Sequence, residues 1–288
     1  MNVKNIASTT LLNNTVQMPC LGLGVYKTNN GAEVEQAIHV ALETGYRLID
    51  TASYYNNEEG VGAAINSAGI TREDIFVTTK VWNSDHGYEN TLKAFDTSIK
   101  KLQLDYVDMY MIHWPMPNLY LETWRALEHL YKSGLVKAIG VCNCMPHHID
   151  SIIATHTIKP MVLQNEFHPR LVQQDILEYC TKQDIQFQAW SPLMRGRILD
   201  DITLKAIAEK YNKSTAQVII RWNLQKGICT IPKSVHATRI QQNADVFDFE
   251  LSVAEINTID SLHTNERTGA HPDHFIEHFA KKEASLKK

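Results

Sequence analysis

The chain has 288 residues, a formal net charge of -4, and 44% hydrophobic and 21% charged residues. That charge balance leaves no basic footprint for nucleic acid, and no apolar run reaches the 18 or more residues a spanning helix needs. The length suits one α/β barrel of about 250 residues as well as it suits two domains.

In chain order, short β-rich apolar runs alternate with segments of helical period. Residues 3–16 read as a strand pair closing one end of the fold, or as an ordered arm. Residues 18–26 (MPCLGLGVY) read as a first strand, and 32–44 as a helix with Val34, Ala37, Ile38, Ala41 and Leu42 on one face. Gly45 stops it. Strand 47–51, helix 58–68, strand 75–81, helix 88–102 and strand 107–114 follow, the last ended by Pro115.

The second half repeats the rhythm: helix 119–132, strand 136–141, helix 146–155, strand 161–166, helix 173–183 and strand 185–190. Helices 203–211 and 214–226 come next, the latter with Ser214 as N-cap, then a short strand 229–231 and further helical segments. Eight strands, each followed by a helix, predict a single (β/α)8 (TIM) barrel domain over residues 1–288, with a polar tail from about residue 263. A doubly wound sheet would carry G-x-G-x-x-G after the first strand. Here Gly22 and Gly24 are followed by Val25, Tyr26 and Lys27.

The amino-terminal segment has no continuous apolar core of the kind a secretory signal needs. Five scattered cysteines, an odd number, fit a reduced protein better than a disulfide framework, so a cytoplasmic location is expected. Cys142 and Cys144 lack partners at zinc-site spacing and read as small strand-end residues. His263, His271, His274 and His278 are irregularly spaced and read as a solvated tail, so no metal is expected.

In such a barrel, residues at the carboxyl ends of the strands form the active site. Asp50, Tyr55, Lys80 and His113 sit at or just beyond three successive strand ends and are expected to converge. Each has a plain reading on its own: a turn aspartate, a surface tyrosine, a structural lysine and a core histidine. Together they form a proton-donating set. An adjacent ammonium favours phenolate, so Lys80, oriented by Asp50, is expected to lower the pKa of the Tyr55 phenol from its ordinary value near 10. His113 is expected to donate to the same substrate oxygen, stabilising developing negative charge. No side chain supplies a hydride, so a cofactor must. Tyr26, Tyr54, Trp82 and Trp114 are candidate pocket walls. An isomerase using His113 as base is a rival needing no such cofactor.

The string DTASYYNNEEGVG (residues 50–62) resembles the signature of the aldo-keto reductase family, as do GLGVY, TTKVW and MIHWP. Later motifs of that family recur in order as AIGVCN, LQNEFHP, AWSPL and IPKSVHATRIQQNA, and the likeness covers about residues 12–270. Within the family the chain is most similar to short bacterial glyoxal and methylglyoxal reductases, and also to the diketogluconate reductases and prostaglandin F synthases. The resemblance implies Tyr55 as proton donor, Lys80 and Asp50 as its support, and His113 as substrate anchor. It implies NADPH lying across the barrel mouth, with Cys142, Asn143 and Gln164 near its carboxamide and Trp190 stacked on the nicotinamide. Ser191 and Leu193 would lie along it. Lys233, Ser234, Val235 and Arg239 would hold the 2′-phosphate end, and Gln242 and Asn243 the adenine.

Two positions depart from the family pattern. Cys142 replaces a usual Ser, and a thiol is the weaker hydrogen-bond partner; Gln242 replaces a frequent Glu. The implied activity is reduction of small aldehydes or ketones by a monomer, without nucleic-acid or membrane partners. A reductase-like barrel that binds NADPH as a redox sensor is the alternative. The tail from Asn265 would supply a specificity loop, and its polar composition predicts an open pocket.

Overall fold

The computed structural model describes residues 3–279. An antiparallel hairpin comes first, β1 (Thr9–Leu11) against β2 (Gln17–Pro19). Asn13 donates to the carbonyls of Pro160 and Asp184, and Asn14 to that of Lys137. Those carbonyls lie at or near the starts of barrel strands, so the hairpin closes the floor, the first of the two readings left open. Residues 18–26 therefore do two jobs: Met18 and Pro19 pair in the hairpin, and only Leu23–Gly24 form β3 of the barrel.

From there strand and helix alternate. Helix α1 (Ala32–Thr44) leads to β4 (Leu48–Asp50), α2 (Glu58–Ser67) to β5 (Phe76–Val81), and α3 (Tyr88–Leu102) to β6 (Val107–Ile112). Helix α4 (Tyr120–Lys132) precedes β7 (Val136–Cys142), α5 (Pro146–Thr155) precedes β8 (Val162–Glu166), and α6 (Gln174–Gln183) precedes β9 (Gln186–Trp190). Two helices, α7 (Ile202–Lys210) and α8 (Thr215–Gln225), come before β10 (Cys229–Thr230). Helices α9 (Ala237–Ala244) and α10 (Val253–Asp260) follow, and residues 275–279 are again helical. Ser214 caps α8 as expected: its side chain accepts from Gln217 N–H while Gln217 reaches back, a reciprocal capping box.

Strands β3 to β10 pair in parallel in sequence order. Bridges Leu21↔Thr230 and Gly24↔Lys233 join the first of them to the last, and the sheet closes into a (β/α)8 barrel. Gly24 makes that seam possible, because a Cβ there would lie 2.9 Å from the carbonyl oxygen of Ile231. The strands are buried on both faces, so β6 reads VDMYMI with every residue inside. Asp50 ends β4, Lys80 is the penultimate residue of β5, and His113 directly follows β6. Register pairs Asp50 with Thr78 and Lys80 with Met111, which sets these side chains at one rim.

No helix among the described residues is long and apolar enough to cross a membrane. All five cysteines are buried and outside disulfides.

Candidate active site

Lys80 is wholly buried, and its Nζ donates to Asp50 Oδ1 at 2.5 Å and to the Thr51 carbonyl at 2.9 Å. An ammonium has three donors, so one remains. Nζ lies 5.3 Å from the centre of the Tyr55 ring, which places the cation beside the phenol. The other carboxylate oxygen of Asp50 accepts from Gln164 Nε2 at 2.8 Å, and the same nitrogen donates to Gln188 Oε1 at 2.7 Å. Asp50 is thus held from both sides, by Lys80 and by β8. Gln188 on β9 was not singled out in the sequence; as one polar residue in an inward-facing strand run it carried no distinguishing pattern.

The aromatic groups close around this pair. Tyr55 packs against Tyr26 with ring centres 4.9 Å apart, and meets His113 edge-on at 5.6 Å. Trp82 lies edge-on to His113 at 5.1 Å and stacks on Tyr54 at 3.7 Å. The four catalytic candidates therefore do converge, with Tyr26, Tyr54 and Trp82 as walls.

The electrostatics correct one expectation. Tyr55 is pushed well above its ordinary value, first by burial, then by the charge of Asp50 and by Cys142 and Tyr26. Burial, the largest cause, and the Asp50 charge prevail, so the net shift is upward although the Lys80 ammonium lies beside the ring. The phenol is therefore fully protonated in the resting protein. His113 is driven well below its usual range by burial, the neighbouring Lys80 charge and His86, so it is neutral. Its Nδ1 is buried without a hydrogen-bond partner among the described residues.

The residues assigned to the cofactor end lie along the neighbouring rim. Asn143, at positive φ just after β7, donates through Nδ2 to the His113 carbonyl and accepts at Oδ1 from Trp190 Nε1 at 2.9 Å. Its carboxamide thus ties Trp190 to the strand carrying His113. Cys142 is buried beneath, its thiol 3.7 Å from Gln164 Oε1. Ser191, also at positive φ, turns the chain after β9, and Leu193 follows. Beyond β10, Lys233, Arg239 and Gln242 are exposed, Val235 is half-buried, and Ser234 and Asn243 are buried. Burial lowers the Lys233 ammonium, with Glu33 opposing. Among the described residues neither Lys233 nor Arg239 enters an ion pair.

The tail differs from its polar composition. Phe275 stacks on Trp114 at 5.1 Å, and Phe279 meets Trp114 and Trp82 edge-on at 5.6 and 5.5 Å. These rings pack onto Trp82 and Trp114, two of the expected pocket walls. Two phenylalanines at helical spacing in a polar stretch were the available signal. Residues 280–288 lie outside the described part of the chain.

Among the described residues, one group of metal-ligand type gathers: His147, His148 and Asp273. His148 Nδ1 accepts from Met145 N–H at 3.1 Å, which puts the neutral ring's proton on Nε2, the atom facing Asp273. A cation would have to displace that proton. Of the tail histidines, His263 instead accepts from Val172 N–H.

Residues 20–264 match the Aldo/keto reductase family. The chain is 53% identical to the glyoxal reductase of Bacillus subtilis, over 94% of this chain and 99% of that protein. It is 45% identical to the methylglyoxal reductase DkgA of Escherichia coli, over 90% and 94% of the two chains. A solved aldo-keto reductase of Bombyx mori, in complex with NADP, superposes with a TM-score of 0.87 at 36% identity, covering 95% of this chain and 97% of that one. With the rim set of Asp50, Tyr55, Lys80 and His113 inside a closed (β/α)8 barrel, and these relatives spanning nearly its whole length, the chain belongs to the Aldo/keto reductase family.

Proposed function

We propose that this protein reduces small aldehydes and ketones to alcohols with NADPH, Tyr55 giving the proton and His113 orienting the carbonyl. The observation that carries this reading is the buried Lys80–Asp50 pair beside Tyr55 and His113 at the mouth of the barrel. Glyoxal and methylglyoxal are the first substrates to try, since relatives sharing about half of the sequence bear those names. The compact aromatic walls suit such small, flat, uncharged carbonyls.

The residues present fit a dinucleotide phosphate. Lys233 and Arg239 are cations without an ion-pair partner among the described residues, and they suit a phosphate as point charge and planar fork. Trp190 is half-exposed and fixed in orientation by Asn143, so it offers a ring face for stacking. Asn143 Oδ1 has a second lone pair free for a carboxamide N–H. The bound cofactor supplies a hydride to the carbonyl carbon.

The chain's own part is proton delivery. A neutral His113 donates a hydrogen bond to the carbonyl oxygen and polarises it. As negative charge builds there, the protonated Tyr55 hydroxyl transfers its proton. The phenolate left behind forms beside the remaining Lys80 donor, so the cation acts on the transition state rather than on the resting pKa. The purified protein should oxidise NADPH when glyoxal or methylglyoxal is added. No turnover across a panel of small aldehydes, keto-sugars and aromatic aldehydes would defeat the reading.

A further inference from the structure

We propose that Glu166 is a positioning residue for the nicotinamide end of the site, holding residues 264–270 as a strap that fixes the Trp190 ring. The inference rests on the reading above that Trp190 stacks on the cofactor.

Glu166 ends β8, and its side chain has no solvent exposure. One carboxylate there collects four donors. Oε1 accepts from His168 Nε2 at 3.1 Å, from Thr268 N–H at 2.6 Å and from the Thr268 hydroxyl; Oε2 accepts from Gly269 N–H at 3.2 Å. Three of the four come from the strap, across 102 or 103 positions of sequence. Burial alone would raise this acid, but the bonds from His168 and Thr268 outweigh it and leave it lowered, hence ionised. A buried charge is costly unless it is paired and fully hydrogen-bonded. Here the compensating partners lie in the strap, so satisfying Glu166 and ordering the strap are one event.

The strap then bears on Trp190. At Gly269 a Cβ would lie 2.6 Å from Trp190 Cη2, so the backbone touches the ring edge and only glycine clears it. The opposite side of the indole is fixed by the bond from Nε1 to Asn143. Trp190 is therefore clamped between Gly269 and Asn143. The strap is also tied by Thr264 and Glu266 N–H to the Arg170 carbonyl, and by Arg267 to Gln173. Thr268 lies 3.3 Å from Ser191 at the turn after β9. Among the described residues no hydrogen bond or ion pair joins Glu166 or Gly269 to Asp50, Tyr55, Lys80 or His113, which makes their role positional.

Two substitutions separate the links. Glu166→Gln loses the charge and turns an amide N–H toward a strap donor, while Gly269→Ala leaves Glu166 intact and drives a methyl into the ring. Each should raise the Kd for NADPH, read by fluorescence titration, by about tenfold, the scale of one lost charge-assisted hydrogen bond. Without nucleotide, amide hydrogen exchange across residues 264–270 should accelerate in Glu166→Gln. A merely structural role would lower Tm and leave the Kd of the folded protein at the native value. Should Glu166→Gln fail to fold, Thr268→Val and Gly269→Ala carry the same Kd measurement. Native protein that binds NADPH, with variants within about twofold of it, overturns this inference alone. Native protein that does not bind NADPH overturns the proposed function and this inference with it.

Discussion

Gln164 Nε2 donates to Asp50 Oδ2 at 2.8 Å across 114 positions of sequence, while Lys80 Nζ occupies the other oxygen of the same carboxylate. The bond joins the rim carried by β4 and β5 to β8, the strand expected to face the cofactor. Asp50 is therefore more than a counter-ion for Lys80. It fixes two side chains, Lys80 and Gln164, that the proposed function sets on the proton-donor and cofactor sides of the site.

The buried pair sets the first expectation. Lys80→Met leaves Asp50 charged, buried and short of its cation. Breaking such a pair from one side costs about 3–5 kcal/mol, so urea titration should show a loss of that order along with loss of turnover. Lys80→Met combined with Asp50→Asn removes both charges and should recover much of the stability with none of the activity. Equal destabilisation by the single and double variants would contradict the pairing.

The pH dependence follows from the directions at Tyr55 and His113. The phenol is raised above its ordinary value near 10, and the imidazole is lowered below its own. On the proposed mechanism reduction needs protonated Tyr55, and the raised phenol keeps that form throughout the neutral range. Its kcat/KM for aldehyde should be flat from about pH 6 to 9 and fall only in more alkaline solution. Alcohol oxidation needs the phenolate and should climb with pH over the same span. A reduction profile that bends near neutrality would show that another group supplies the proton.

Acid stability has a named contributor in His86. It is buried, both ring nitrogens lack partners among the described residues, and burial pulls it down to about 4. The folded state binds fewer protons than the unfolded state between that value and the ordinary 6.5. Its contribution is therefore complete above 6.5 and is lost progressively as pH falls toward about 4. His86→Leu removes both the titration and two unsatisfied nitrogens. Chemical denaturation at a series of pH values should show a shallower loss over this window in the variant; an unchanged slope would assign the acid sensitivity elsewhere.

Much of this was legible in the sequence for physical reasons. Parallel barrel strands are buried on both faces and announce themselves as apolar runs, and α1 showed its helical stripe. Asp50, Tyr55, Lys80 and His113 were legible because strand ends in this fold share one rim. What escaped depends on contacts distant in sequence. Met18 and Pro19 look like the start of a barrel strand, but β1 captures them in the hairpin. Glu166 lies in a motif that drew attention to its neighbour Gln164, and its donors come from the tail. Phe275 and Phe279 were hidden by the polar residues around them. The Tyr55 pKa ran against expectation because proximity to Lys80 was counted, while the burial of the phenol and the direct effect of the Asp50 charge on it were not.

Tyr55→Phe tests the central claim most directly, because it removes one oxygen and leaves the ring packed between Tyr26 and His113. Single-turnover reduction of methylglyoxal should be measured beside the Kd for NADPH. The account predicts native-like NADPH binding with kcat lower by about 10²-fold or more, the scale of a lost general acid. A variant that binds NADPH and turns over at the native rate would contradict it.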